Sequence, residues 1–221
     1  MAIERFFNPF DFGIDLLFTI IAVVSCFLIY FKTKESYELT KYEGIRYFRQ
    51  AFLFFGLSYL FRFALSIVVF SRIAFDVFIP RTMFLPLFIL LIGYFSTTGI
   101  FYLIFGSIWH KFDSKKLLIF GHGTAIILSI ISFFTRSHLI LIYLQCLLLI
   151  IAIVLNFIIS RQGRKISRIK VLYALVAVLW LINLLIIDRR RPFPEGVESF
   201  FQILSIAVFV IIYYKISKWV R

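Results

Sequence analysis

The chain has 221 residues, of which 62% are hydrophobic and only 16% are charged, and it contains thirty phenylalanines. A soluble fold has too little interior to bury so much apolar side chain, so the composition excludes a soluble domain and predicts a protein surrounded by lipid. The net charge of +13 is therefore the charge of a membrane protein, and we do not expect the protein to bind nucleic acid.

Seven segments are long and apolar enough to cross a bilayer, which takes about 20 residues. We therefore predict an all-α polytopic membrane protein, a seven-transmembrane-helix bundle that forms a single transmembrane domain over residues 1–221. The predicted spans are 12–31, 47–70, 82–108, 117–134, 139–159, 171–187 and 197–214. The first span is not expected to be a cleaved signal peptide, because Glu4, Asp11 and Asp15 occupy the place of a basic leading region.

The orientation follows from the Lys and Arg residues in the short loops and at the two ends. One side of the membrane carries sixteen of these cations and the other side carries seven, while Arg62 lies within a span. Cytoplasmic loops hold the excess of Lys and Arg. We therefore predict a multi-pass protein of the cell membrane, with the N-terminus outside and the C-terminus in the cytoplasm.

Arg62 in the second span is the residue whose position most needs an explanation. It lies eight residues before the outer end of that span at Phe70, which is about 12 Å below the membrane surface. An unpaired arginine at such a depth costs about 2.5–3.5 kcal/mol on insertion scales. Three interpretations follow: the side chain extends outward to the interface, it forms a structural ion pair, or it lines a polar pocket that opens to the outside.

The pocket interpretation predicts specific neighbours for Arg62. Asp15 is the first choice, because it lies about one helical turn inside the first span, on the same outer side. The other predicted pocket residues are Ser58, Tyr59, Ser66, Asp188 and Glu198.

Small residues recur along the third span at intervals of about one helical turn. They are Gly93, Ser96, Gly99 and Gly106. Small side chains let helix backbones approach closely in lipid. The pattern predicts that the third span packs in the centre of the bundle, and a homodimer contact is the alternative.

The fifth loop carries a dense group of cations on the predicted cytoplasmic side. The members of this basic cytoplasmic face are Arg161, Arg164, Lys165, Arg168 and Lys170. Each cation near an anionic membrane surface contributes about 1 kcal/mol of attraction. Anionic lipids are therefore the first expected partners of this face, and an acidic cytoplasmic or membrane protein partner is the alternative.

Several cofactor chemistries lack their residues in this sequence. A retinal protein needs a lysine in the middle of the last helix, whereas Lys215 lies beyond the inner end of the seventh span. His110, His122 and His138 are scattered over both membrane sides, so neither a metal nor a haem site is expected. No recognised catalytic motif occurs either. We therefore expect no cofactor, no metal and no enzymatic activity.

Three functions remain open after these exclusions. The favoured one is a receptor-like or sensor-like protein with an outward-facing polar pocket and a basic cytoplasmic face for a separate partner. A small transporter or channel is the second, although the sequence shows no internal repeat of the kind common in transporters. The third is a structural or accessory subunit of a membrane complex.

Overall fold

The computed structural model describes residues 9–75, 80–108, 114–135, 138–161, 168–187 and 197–220. These residues form seven α-helices and no strand, which confirms the predicted all-α membrane bundle. The helices are α1 (Pro9–Thr40), α2 (Glu43–Ala74), α3 (Arg81–Ile108), α4 (Ser114–Thr135), α5 (His138–Arg161), α6 (Arg168–Ile187) and α7 (Val197–Val220). Helices are expected here because lipid offers the backbone no hydrogen-bond partners outside its own segment.

Five of the helices, namely α1, α2, α3, α4 and α7, are long and apolar enough to cross a membrane. The other two contain shorter apolar segments, Leu139–Leu155 in α5 and Val171–Leu184 in α6. All seven predicted spans fall inside observed helices, and most helices extend past them.

The extension is largest between the first two predicted spans, where most of the expected loop is helical. Helix α1 continues to Thr40 and α2 begins at Glu43, so only Lys41 and Tyr42 lie between the helices. Lys41 adopts a left-handed backbone conformation with φ 50°, which turns the chain. Local ion pairs support the polar helix ends: Lys32–Glu35, Lys34–Glu38 and Arg46–Glu43, with N···O distances of 3.1, 3.7 and 3.1 Å.

Six of the helices form a closed ring, and the seventh lies outside it. Around the ring, α1 packs on α2, α2 on α3, α3 on α5, α5 on α6, α6 on α7, and α7 on α1. Helix α4 lies outside this ring against α3 and touches α5 only sparsely. Helix α3 packs on both α4 and α5. These two helices therefore make few contacts with each other, although only residues 136–137 separate them in sequence.

Aromatic side chains fill the centre of the ring. Phe48 contacts Tyr173 edge to face, with 5.3 Å between the ring centroids, and Phe55 stacks on Trp180 at 4.2 Å. These pairs join α2 to α6 across the interior. Tyr59 also contacts Trp180, at 5.6 Å. Such pairs stabilise a core beyond the area that they bury.

The orientation of the bundle remains a prediction, and labelling in intact cells tests it. In a variant in which Cys26 and Cys146 are replaced, we expect Arg136→Cys and Arg190→Cys to react with a membrane-impermeant thiol reagent. Arg164→Cys should react only after the cells are opened, because the predicted cytoplasmic side carries most of the cations. Labelling of residue 164 in intact cells, with 136 and 190 protected, would contradict the orientation.

Candidate functional site

The structure places Arg62 and Asp15 in contact between α2 and α1. Arg62 Nη2 donates to Asp15 Oδ1 at 3.0 Å, and the two side chains are 15% and 6% exposed. Helices α1 and α2 run antiparallel, so a residue near the start of α1 lies level with one near the end of α2. Arg62 therefore points into the bundle toward its counter-ion rather than along the helix to the interface.

The other predicted pocket residues on α2 have different environments. Ser58 is buried and donates to the Ile92 carbonyl of α3 at 3.3 Å, so it links two helices. Tyr59 faces the centre of the ring, where its ring contacts Phe18 and Phe209 as well as the tryptophan of α6. Ser66 lies one turn beyond Arg62 and is half-buried.

Two predicted pocket residues lie outside what the structure describes. Asp188 is outside the described residues, and for Glu198 only the helical backbone of α7 is described. On the basic cytoplasmic face, Arg164 and Lys165 are likewise outside the described residues, while Arg161, Arg168 and Lys170 are described as helical positions only.

The polar residues around Arg62 extend to α6 and α7. Asn183 Nδ2 donates to the Leu179 carbonyl at 2.7 Å and lies 3.5 Å from Ser205 Oγ of α7. Gln202 lies one turn before Ser205 and is also buried. The sequence signal that could have identified this group is the pairing of polar residues three apart in otherwise apolar helices.

The small residues of α3 meet several different helices. A Cβ at Gly99 would lie 2.5 Å from Phe55 Cε1 of α2, and one at Gly93 would lie 2.9 Å from Leu141 Cδ2 of α5. A Cβ at Gly106 would overlap Tyr173 of α6. Neighbours within the same chain therefore occupy the faces that a homodimer would have used.

Ser96 of α3 takes part in a buried hydrogen-bond group with α5. Gln145 Nε2 donates to Ser96 Oγ at 2.6 Å and to Thr97 Oγ1 at 2.9 Å. Ser96 Oγ in turn donates to the Gly93 carbonyl at 3.1 Å. This group fixes the register of the two parallel helices.

Loss of this group should weaken the bundle. We expect Gln145→Leu to lower the free energy of unfolding by about 1 kcal/mol, because polar contacts between membrane helices contribute on this scale. Unfolding in mixed detergent micelles measures the change. Leu147→Ile on the exposed face of α5 is the control, with an expected change within about 0.5 kcal/mol. Equal stability of Gln145→Leu and wild type would show that the group contributes nothing.

A second polar contact, which the sequence did not indicate, lies between α3 and α4. Tyr94 Oη lies 3.0 Å from His122 Nδ1, and Tyr102 Oη lies 3.4 Å from Nε2 of the same imidazole. In neutral histidine one ring nitrogen donates and the other accepts, so the two hydroxyls satisfy both atoms. The two tyrosines lie eight residues apart, about two turns, which is the signal that could have identified the contact.

One small cavity among the described residues lies away from Arg62. It has a volume of about 10 Å³ and is lined by Leu103, Ser107, Ala152, Ile153, Tyr173, Ala174 and Ala177. That volume suits a single water molecule. Among the described residues, no three His, Cys, Asp or Glu side chains come together in a way that could hold a metal ion.

Comparison with known proteins gives one clear similarity. No family model matches the chain, and no solved structure matches it. The chain is similar to an uncharacterized protein of Archaeoglobus fulgidus, with 29% identity over 218 residues that cover 95% of this chain and 94% of the relative. The similarity therefore extends over the helical bundle as a whole and brings no activity with it.

Proposed function

We propose that the protein is a receptor-like or sensor-like membrane protein that recognises a ligand at the polar residues around Arg62 and catalyses no reaction of its own. The observation that carries this proposal is the Arg62–Asp15 pair, which is mostly buried in a largely apolar bundle. A buried ion pair often stabilises a protein less than apolar side chains of similar volume would. Stability alone is therefore a weak reason for the pair, and ligand recognition is the better one.

The opposite end of the bundle supports a contact with a separate partner. The three ion pairs at the end of α1 and the start of α2 neutralise Glu35, Glu38 and Glu43. Exposed Lys41 adds uncompensated charge, since it has no ion-pair partner among the described residues. Together with the basic cytoplasmic face defined above, this end offers a surface for an acidic protein as well as for anionic lipid head groups.

Site-specific crosslinking tests this proposal. A photoreactive amino acid at position 164 should capture a signalling protein, such as a kinase or a transducer, in the native membrane. The same group at position 136, on the predicted outer side, is the matched control and should not capture that protein. Arg164→Glu together with Lys165→Glu should weaken the capture, because it reverses two charges of the surface.

Two other outcomes would replace the proposal. Ion or solute flux through liposomes that contain only this protein would favour a transporter or channel. Stoichiometric recovery in a large membrane assembly, with unchanged capture in the charge-reversed variant, would favour an accessory subunit.

A further inference from the structure

Arg62 and four buried side chains around it have polar atoms that no described residue satisfies. We call Tyr59, Arg62, Trp180, Asn183 and Gln202 the buried polar cluster. The atoms without a hydrogen-bond partner within the described part of the chain are Tyr59 Oη, Arg62 Nη1, Trp180 Nε1, Asn183 Oδ1 and Gln202 Oε1. Tyr59, Trp180, Asn183 and Gln202 are each at most 3% exposed. Buried polar atoms in native proteins nearly always have a partner.

The cluster occupies a layer of the bundle about two helical turns thick between α2, α6 and α7. Tyr59 contacts Trp180 directly. Arg62 and Asn183 each lie three residues further along their own helices, and α2 and α6 run parallel, so both lie about one turn above this contact. Asn183 approaches Ser205 of α7, and Gln202 lies one turn before that serine. The layer therefore reaches from the ion pair to α7.

The chemistry of these atoms favours one kind of occupant. Arg62, Tyr59 and Trp180 present donors, whereas Asn183 and Gln202 present carbonyl oxygens that accept. The Arg62–Asp15 pair is neutral as a whole, so the layer does not select a charged molecule. An occupant must be small, must donate as well as accept, and must be uncharged. Water meets all three conditions and commonly makes about three hydrogen bonds at buried polar sites.

We infer that the buried polar cluster binds water, and that this water extends the Arg62–Asp15 pair into a hydrogen-bond network that ends on α7. The guanidinium of Arg62 joins the cluster to the ion pair, because its Nη1 belongs to the cluster and its Nη2 donates to Asp15. The inference goes beyond the receptor proposal, because it concerns the hydration of the helix interface and holds whether or not a ligand binds.

Radiolytic labelling in lipid nanodiscs tests the inference. X-rays produce hydroxyl radicals from water in place, so buried side chains beside bound water become oxidised. We expect Tyr59 and Trp180 to be labelled despite their burial. Phe52 is the control, because it is completely buried between other aromatic rings and should stay unmodified. Gln202→Leu, which removes one acceptor without adding an easily oxidised thioether, should reduce the labelling of Tyr59 and Trp180 several-fold.

Thermal unfolding gives an independent measurement. Tyr59→Phe and Gln202→Met should each lower the Tm by about 2–4 °C, because each removes a hydrogen bond to bound water. The decrease in Tm of the double variant should be smaller than the sum of the two single decreases, since both residues belong to the same network. Tyr173→Phe is the control, because the Tyr173 hydroxyl donates to the Gly44 carbonyl at 2.7 Å and lies outside the cluster. The decrease in Tm caused by Tyr173→Phe should therefore add fully to the decrease caused by Gln202→Met.

Two results would overturn the inference. One is an absence of labelling at Tyr59 and Trp180 under conditions that label exposed side chains. The other is a higher Tm in Tyr59→Phe or Gln202→Met, because an apolar group of the same shape stabilises a site where the polar atom is dry and unpaired. If Tyr59→Phe does not fold, the labelling of Tyr59 and Trp180 in the wild-type protein still tests whether water is bound.

Discussion

Gly99→Leu is expected to prevent the bundle from packing as described. The first added atom would already lie 2.5 Å from Phe55 Cε1 and 2.6 Å from Phe55 Cδ1. Phe55 cannot move away easily, because it is stacked on Trp180 in the centre of the ring. Overpacking of a core typically costs about 1–3 kcal/mol and sometimes more, and this contact belongs at the upper end of that range. Unfolding in mixed micelles measures the loss.

Gly123→Leu is the matched control for this substitution. Gly123 lies in the middle of α4, and a Cβ there has no atom within 4 Å. The same change should therefore alter the free energy of unfolding by less than about 0.5 kcal/mol, or raise it slightly through better helix propensity. Equal effects of the two substitutions would show that α3 does not approach α2 closely at Gly99.

Asp15→Leu should be the most destabilising change at the candidate site. It removes the carboxylate that Arg62 Nη2 contacts at 3.0 Å and leaves a mostly buried guanidinium without its counter-ion. Breaking a buried pair in this way costs about 3–5 kcal/mol. The loss is measured as the decrease in the free energy of unfolding in micelles.

Arg62→Met combined with Asp15→Leu separates the fold from the function. Replacing both charges by apolar side chains should restore stability to within about 1 kcal/mol of wild type, or above it. The proposed receptor function should be lost in the same variant, which crosslinking from position 164 would report as altered partner capture. A stable double variant with unchanged capture would remove the ion pair from the functional site. If Asp15→Leu alone costs nothing, Arg62 reaches water at the membrane surface.

The helices of this protein could be predicted from the sequence because each long apolar run must be helical in lipid. The ends of α1 and α2 could not, since residues 32–46 are polar and resemble a loop. Lys and Glu are good helix formers, however, and spacings of three and four residues allow the observed ion pairs. The polarity of this segment predicts where the apolar span ends. It does not predict where the helix ends, because a helix can continue beyond its apolar part.

In the candidate site, too, the contacts that follow from positions within single spans could be predicted, and the contacts that depend on helix packing could not. The depth of Arg62 and that of Asp15 can be calculated from helical rise within each span, and the structure places them in contact. The approach of Trp180, Asn183 and Gln202 depends on which helices are neighbours in space. The order of helices around a ring is set by packing between distant parts of the chain, so no local pattern predicts it.

The closed ring has a consequence for how the protein is made. Helix α1 leaves the ribosome first of the seven and α7 last, yet the two pack against each other. The α1–α2 hairpin must therefore stay in the membrane without α7 beside it until more than 120 further residues have been synthesised, because α2 ends at Ala74 and α7 begins at Val197. Contacts between segments so distant in sequence form slowly. During that interval α7 is missing beside α1, and pairing of Asp15 with Arg62 within the α1–α2 hairpin would keep either charge from facing lipid without a partner.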